Sequence, residues 1–332
     1  MLDFLEYITK ERPNKVLLIH HWDTDGLASA ALIQKYAHAH QWPTHFTLMH
    51  PQINNYFLTE KELKSIEAGE YGAIITVDLN FPLSTIEALE GCGVPVFVFD
   101  HHTQTANINR PGVQNTSYPG CSMLINDYLL EPLSLTAVLG MVGDQEMRIT
   151  TYTDFYPQVE QMMKEHRVTL KELIHITKLI DSCYVWHDEV GMKEAIQMLH
   201  GDPLRIKTTQ HFIDSDKKLS QELLRVLSAP LVLARKKVHT LHIESKASII
   251  SEATRFLSAE HPDDVIITDQ SYNDFGNIYV RRNTLDIDLS YIAVEARKRG
   301  YTAGGKTEVT GIILPHTDVE QFKQWIIDSL PV

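Results

Sequence analysis

The chain has 332 residues, 43% of them hydrophobic, which is enough for two packed domains. Its 30 Lys and Arg against 43 Asp and Glu leave a net charge of −13, a poor match to a processive duplex binder, whose affinity comes from neutralising phosphates. No apolar stretch approaches the roughly 18–20 uncharged residues that span a bilayer.

Asp3, Glu6 and Glu11 are wrong for a secretory signal peptide. Cys92, Cys121 and Cys183 are widely spaced, with no CxxC pair, and read as buried reduced thiols of a cytoplasmic protein.

In chain order, short apolar runs predict strands at 15–20, 44–49, 73–77 and 94–99. Amphipathic segments between them predict helices at 26–40, 59–68 and 82–90. Thr59 with Glu62 is a capping-box pair. An apolar helix at 135–142 leads into Gly143-Asp144. Helices follow at 154–167 and at 169–183, the second opened by the capping pair Thr169 and Glu172. This alternation is the pattern of an α/β domain with a doubly wound, mainly parallel sheet.

From Asp214 the texture changes. Helical pieces at 214–225 and 231–242, interrupted at Pro230, read as a connector. Strands at 265–268, 276–281 and 311–314, with helices at 289–299 and 319–330, give a second, smaller α/β unit. The expected organisation is therefore 1–213, a connector at 214–242 and 243–332, with the active site in the cleft between the two domains.

Chemistry-bearing residues gather where apolar elements end. Val16-Leu17-Leu18-Ile19 empties into His20-His21-Trp22-Asp23-Thr24-Asp25-Gly26. Ala73-Ile74-Ile75-Thr76-Val77 ends on Asp78, and Val96-Phe97-Val98-Phe99 ends on Asp100-His101-His102. In open α/β sheets, ligands bind beyond the carboxyl ends of the strands. Carboxylate and imidazole form a hard-to-borderline set suited to Mn²⁺, Mg²⁺ or Zn²⁺. Each residue also has a plainer use: Asp23 or Asp25 as a helix cap, Asp78 in a turn, Gly143-Asp144 in a loop. Either His20 or His21 fits as the ligand. Asp188 and Glu189 beside Trp186-His187 read as a surface acidic cluster, and Arg235-Lys236-Lys237 as a solvated helix face.

The ordered set His21-x-Asp23-x-Asp25-Gly26, Asp78, Asp100-His101-His102 and Gly143-Asp144 resembles the four motifs of the DHH phosphoesterase superfamily. That group includes RecJ-like exonucleases, nanoRNases, cyclic-dinucleotide phosphodiesterases and family II pyrophosphatases. The segment Tyr301-Thr302-Ala303-Gly304-Gly305-Lys306 to Gly311 is similar to the glycine-rich loop of the DHH-associated C-terminal domain. Arg281 and Arg282 fall where that domain has a substrate-binding arginine.

The resemblance implies two divalent cations, Mn²⁺ or alternatively Mg²⁺, bridged by Asp78. Asp23 and His21 would hold one; Asp25, His101 and Asp144 would hold the other. His102 would face the substrate phosphate and Asp100 would orient the histidine pair. Arg281, Arg282, Gly304, Gly305 and Lys306 would bind substrate. Lys306 departs from the family pattern, which has histidine there, and Ala303 replaces a glycine. The expected activity is hydrolysis of short oligonucleotides, dinucleotides or nucleic acid ends, with pyrophosphate or short polyphosphate as the alternative substrate. A non-catalytic replication or repair scaffold is a third reading. Neither domain shows an aromatic-rich platform for base stacking. The sequence gives no membrane partner and leaves the oligomeric state open.

Overall fold

The computed structural model describes residues 2–55, 57–103, 108–272, 275–284 and 287–331. They form two compact units, Met1–Asp216 and Lys217–Val332.

In the first unit the order is α1 (Phe4–Glu11), β1 (Lys15–His20), α2 (Thr24–Ala39), β2 (His45–Met49), α3 (Glu60–Glu67), β3 (Ala73–Val77), α4 (Leu83–Glu90), β4 (Val96–Asp100) and β5 (Gly112–Gln114). Then come α5 (Cys121–Tyr128), α6 (Leu135–Gln145), α7 (Tyr156–His166), α8 (Leu170–Val185), α9 (Glu189–His200) and α10 (Gln210–Leu227).

The five strands pair in parallel, in the order β2-β1-β3-β4-β5. Their apolar runs show no simple alternation because both faces are covered. Val16 and Leu18 of β1 pack into one core, with α2, α5, α6, α8 and α9. Leu17 and Ile19 pack into another, with Ile66 of α3 and Ile86 and Leu89 of α4. The strand order reverses between β1 and β3. That reversal is the topological switch point, and the crevice beyond it is where such sheets bind ligands.

α2 is the central helix. Ala28, Ser29, Ala30 and Ala31 are all fully buried, and their small side chains let neighbouring helices approach from several sides. Both expected capping boxes form, Thr59–Glu62 at α3 and Thr169–Glu172 at α8. Gly143 and Asp144 lie within α6, not in a loop after it.

The second unit contains β6 (Val232–Arg235), β7 (Val238–Ile243), α11 (Ile250–Glu260), β8 (Val265–Ser271), β9 (Phe275–Arg281), α12 (Ser290–Lys298), β10 (Thr302–Lys306), β11 (Val309–Pro315) and α13 (Val319–Ser329). Its sheet order is β10-β11-β9-β8-β7-β6, antiparallel except for the β7–β8 pair.

The expected helix at 231–242 is corrected: this stretch is the β6–β7 hairpin. The run Val238-His239-Thr240-Leu241-His242-Ile243 buries Val238, Leu241 and Ile243 along an extended chain, a pattern that the basic residues before it obscure. Arg235-Lys236-Lys237 therefore belongs to a strand end and turn, with Lys237 at φ 61°, and not to a helix face. Cys121 and Cys183 are buried free thiols, whereas Cys92 is only partly buried. No described helix is long and apolar enough to cross a membrane.

Candidate metal centre

The carboxyl ends of β1, β3 and β4 and the polar end of α6 converge. At the end of β1, His21 lies beyond the last strand residue and its N–H donates to Val77 O at 3.2 Å, tying the β1 end to β3. Its Nδ1 lies 2.8 Å from Asp23 Oδ2 and 3.9 Å from Asp78 Oδ2. The histidine alternative thus resolves geometrically: His21 sits among the carboxylates, whereas His20 is buried with its Nδ1 on His21 O. Burial holds His20 down to about 4, so it is neutral.

Asp23 is both a cap and a candidate ligand, because its two oxygens divide the tasks. Oδ1 accepts the Gly26 N–H at 3.1 Å, opening α2, while Oδ2 faces His21. Gly26 is needed for space: a Cβ there would stand 2.5 Å from His21 O.

Asp25 is 1% exposed and fixed by two backbone donors at the start of α5, Cys121 N at 2.5 Å and Ser122 N at 3.0 Å. A side chain at Gly140 of α6 would overlap Asp25 Oδ1, so α6 can approach only with glycine at that position.

Asp78, 2% exposed, takes φ 60° directly after β3. This left-handed conformation, which aspartate tolerates better than most residues, turns its carboxylate back over the strand ends. His101 stands across from it. His101 Nδ1–H donates to Tyr118 O at 3.2 Å, which leaves Nε2 as the inward-facing atom. Nε2 lies 3.1 Å from Asp144 Oδ2, 3.4 Å from Asp78 Oδ1 and 3.9 Å from Asp25 Oδ2. Asp100 is fully buried and accepts both the N–H of His102 (3.1 Å) and its Nδ1–H (2.7 Å). His102 is thereby oriented with 38% of its side chain exposed.

The electrostatics are those of an overcrowded acidic pocket. Burial, and next the Asp25 charge, push Asp78 well above the usual carboxylate range. Burial and Asp144 raise Asp25 to about 6. Burial opposes the charged form of His101, yet Asp144 and Asp78 outweigh it and drive His101 far up. Burial likewise opposes ionised Asp23, but the adjacent His21 prevails and draws Asp23 down to about 2. The carboxylates thus favour positive charge on His101, as they would favour a bound cation.

Donor atoms of His21, Asp23 and Asp78 lie within 4.8 Å of one another, as do those of Asp25, His101 and Asp144, and those of Asp78, His101 and His102. Buried Asp78 Oδ1 and His101 Nε2 stand 3.4 Å apart as an ion pair, but neither makes a well-angled hydrogen bond among the described residues. Orphaned buried acceptors and donors are rare unless a ligand takes them up. The all-oxygen-and-imidazole set fits divalent Mn, Mg or Zn.

Asp181 of α8 is a site residue that the sequence does not single out. Its Oδ1 accepts the Thr24 N–H at 2.8 Å and the Thr24 hydroxyl at 2.7 Å, gripping the residue between Asp23 and Asp25. The only signal is an acid one turn after Thr177, whose carbonyl also receives the Thr24 hydroxyl.

In the second unit, Gly304, Gly305 and Lys306 lie in edge strand β10, and the turn of the hairpin falls at Thr307-Glu308. The expected glycine-rich turn is therefore a strand, and no nest of successive N–H groups forms at these glycines. Pairing puts Arg281 and Lys306 on either side of Val309, and Tyr279 and Gly304 on either side of Gly311. Directly opposed residues project to the same face. Tyr279, Arg281 and Lys306 thus share a face over a strip cleared by two glycines, and a Cβ at Gly311 would stand 3.2 Å from the Tyr279 ring. Arg281 Nε has no hydrogen-bond partner among the described residues. Arg282 is turned inward instead, 4% exposed, with Nε donating to Thr284 Oγ1 at 2.7 Å. Tyr279 is an aromatic surface that was not expected from the sequence.

Residues 15–147 match the family described as DHH family, N-terminal domain. That segment of the first unit is a DHH-family N-terminal domain. The chain shares its fold with a solved DHH domain described as belonging to a family of ribosomal proteins. The TM-score is 0.69 at 18% identity, covering 96% of this chain and 88% of the other. A manganese-bound exonuclease RecJ matches with TM-score 0.66 at 17% identity, covering 98% and 93%. An exopolyphosphatase-related protein from Bacteroides fragilis matches with TM-score 0.55 at 13% identity, covering 98% and 95%. No curated protein matches the sequence.

Proposed function

We propose that this phosphoesterase is a phosphodiesterase dependent on two divalent cations, acting on short oligonucleotides, dinucleotides or nucleic acid ends. The observation that carries the reading is the pair of donor groups meeting at Asp78, where Asp78 Oδ1 and His101 Nε2 make ion-pair contacts but no well-angled hydrogen bond among the described residues. His21 and Asp23 would hold one cation, Asp25, His101 and Asp144 the other, and Asp78 both. Bound there, Mn²⁺ or Mg²⁺ would supply an activated water and offset the charge of the phosphoryl oxygens.

The chain's own residues supply orientation. Asp100 fixes His102 through Nδ1–H, so Nε2 is the atom left for the phosphate, to which it donates when the ring is imidazolium. Asp181 holds Thr24, and with it the spacing of Asp23 and Asp25. Tyr279, Arg281 and Lys306 offer a ring and two cations on one face, which suits a base with its phosphate and favours nucleotides over pyrophosphate. The net charge of −13 favours short substrates over long duplexes.

A panel with Mn²⁺ or Mg²⁺ tests this: a nitrophenyl phosphodiester, dinucleotides, a labelled oligonucleotide and pyrophosphate. Turnover of the diesters is expected. Release of orthophosphate from pyrophosphate alone would establish the pyrophosphatase reading instead. Absence of all turnover, with metal shown to be bound, would point to a scaffold.

A further inference from the structure

Away from the Asp78 cluster, three helices bring a thiol, a carboxylate and an imidazole together. Cys183 lies in the last turn of α8, Asp188 is the N-cap of α9, and His211 is in the first turn of α10. Their donor atoms lie within 4.8 Å of one another. Asp188 uses its oxygens separately: Oδ1 accepts the Gly191 N–H at 3.0 Å, and Oδ2 lies 2.5 Å from His211 Nε2.

Behind the imidazole, His211 Nδ1 lies 3.2 Å from Glu194 Oε2. A carboxylate on the far nitrogen is the usual way a metal-bound histidine is oriented. Gly191 keeps the space open, since a Cβ there would stand 2.6 Å from Cys183 Sγ and 2.7 Å from Asp188 Oδ2. A His–Asp ion pair at a surface needs neither a thiol nor a bare glycine beside it.

We propose that Cys183, Asp188 and His211 form a second metal site, for Zn²⁺, with water as the fourth ligand. The set is sulfur, nitrogen and oxygen, which selects tetrahedral Zn²⁺, whereas the cluster around Asp78 has no sulfur. On binding, the Cys183 thiol gives its proton to solvent and the thiolate takes the cation. His211 binds through Nε2 as neutral imidazole and keeps its Nδ1–H toward Glu194. Zn–ligand lengths of about 2.0–2.3 Å require the Asp188–His211 separation to open to about 3.3 Å. The site would fasten the start of α10 to α8 and α9.

The test is titration of the metal-free full chain with Co²⁺. Saturating Co²⁺ should produce a thiolate-to-cobalt charge-transfer band and strong four-coordinate visible bands, which Zn²⁺ then abolishes. The band should persist in Asp78→Asn and vanish in Cys183→Ser and in His211→Ala. Glu194→Gln should weaken binding roughly 10–100-fold. If Cys183→Ser does not fold, His211→Ala, with its ring 35% exposed, carries the test. A wild-type protein that shows no charge-transfer band at saturating Co²⁺, with the Asp78 centre also filled, would overturn the proposal. So would a band that survives loss of Cys183 or His211.

Discussion

Replacing Asp181 with asparagine should stabilise the metal-free protein, and by an amount that grows with pH. Burial, and next the Asp23 charge, raise Asp181 from the usual 3.8 to about 8. Because the folded-state value lies above the unfolded one, its contribution to stability is full below 3.8. It is lost as pH rises through about 8. At about 1.4 kcal/mol per unit the shift has an upper limit of about 6 kcal/mol, and partial solvent contact reduces this to about 3 kcal/mol. Asparagine has no charge to lose and keeps an oxygen for the Thr24 N–H and hydroxyl. The variant's advantage should therefore appear between pH 4 and 8. For a unit of this size, about 3 kcal/mol corresponds to roughly 6–12 °C in Tm. Thermal unfolding of both proteins in chelator, at half-unit pH steps, measures it. A Tm difference that stays flat across pH 5–8, or that favours the wild type throughout, refutes the reasoning.

Four other outcomes follow from the same geometry. Asp78→Asn should lower diester turnover roughly 10³-fold, about 4 kcal/mol, with its metal-induced rise in Tm reduced alongside. Asp100→Ala frees His102 and should lower kcat roughly 10–100-fold with metal stoichiometry unchanged; an unaltered kcat would remove Asp100 from the account. Tyr279→Ala should raise KM for dinucleotides by the equivalent of about 1–3 kcal/mol, while Lys306→Ala raises KM for every phosphoester substrate. Unchanged KM in both would exclude that face from binding. Gly140→Ala forces a methyl onto Asp25 Oδ1 and should cost about 1–3 kcal/mol of stability in denaturant titration.

The candidate centre is largely legible in the sequence because its residues stand at the ends of apolar strands, where neither packing nor solubility asks for Asp-His-His. Strand ends at 20, 77 and 100 lie next to one another through the parallel order, which a run of buried β-branched residues already implies. Asp181 is hidden because it sits mid-helix, and its role depends on α8 packing beside the start of α2. The β6–β7 hairpin reads as helix because the pattern of Val238, Leu241 and Ile243 is short and follows a basic run. Gly304 and Gly305 read locally as a turn. In the fold they thin an edge strand, so that Tyr279 and its neighbours stand over open backbone. Cross-strand register is a long-range property, and no local pattern in 301–311 carries it.

The most direct test of the central claim is metal binding measured together with turnover. Calorimetric titration of metal-free protein with Mn²⁺, followed by assay of a nitrophenyl phosphodiester at each ratio, reports both. The account predicts activity that rises with occupancy of two ions and falls roughly 10³-fold in Asp78→Asn, with its loss of the shared ligand. Full diester turnover by wild type in excess chelator, or unimpaired turnover by Asp78→Asn, would contradict it.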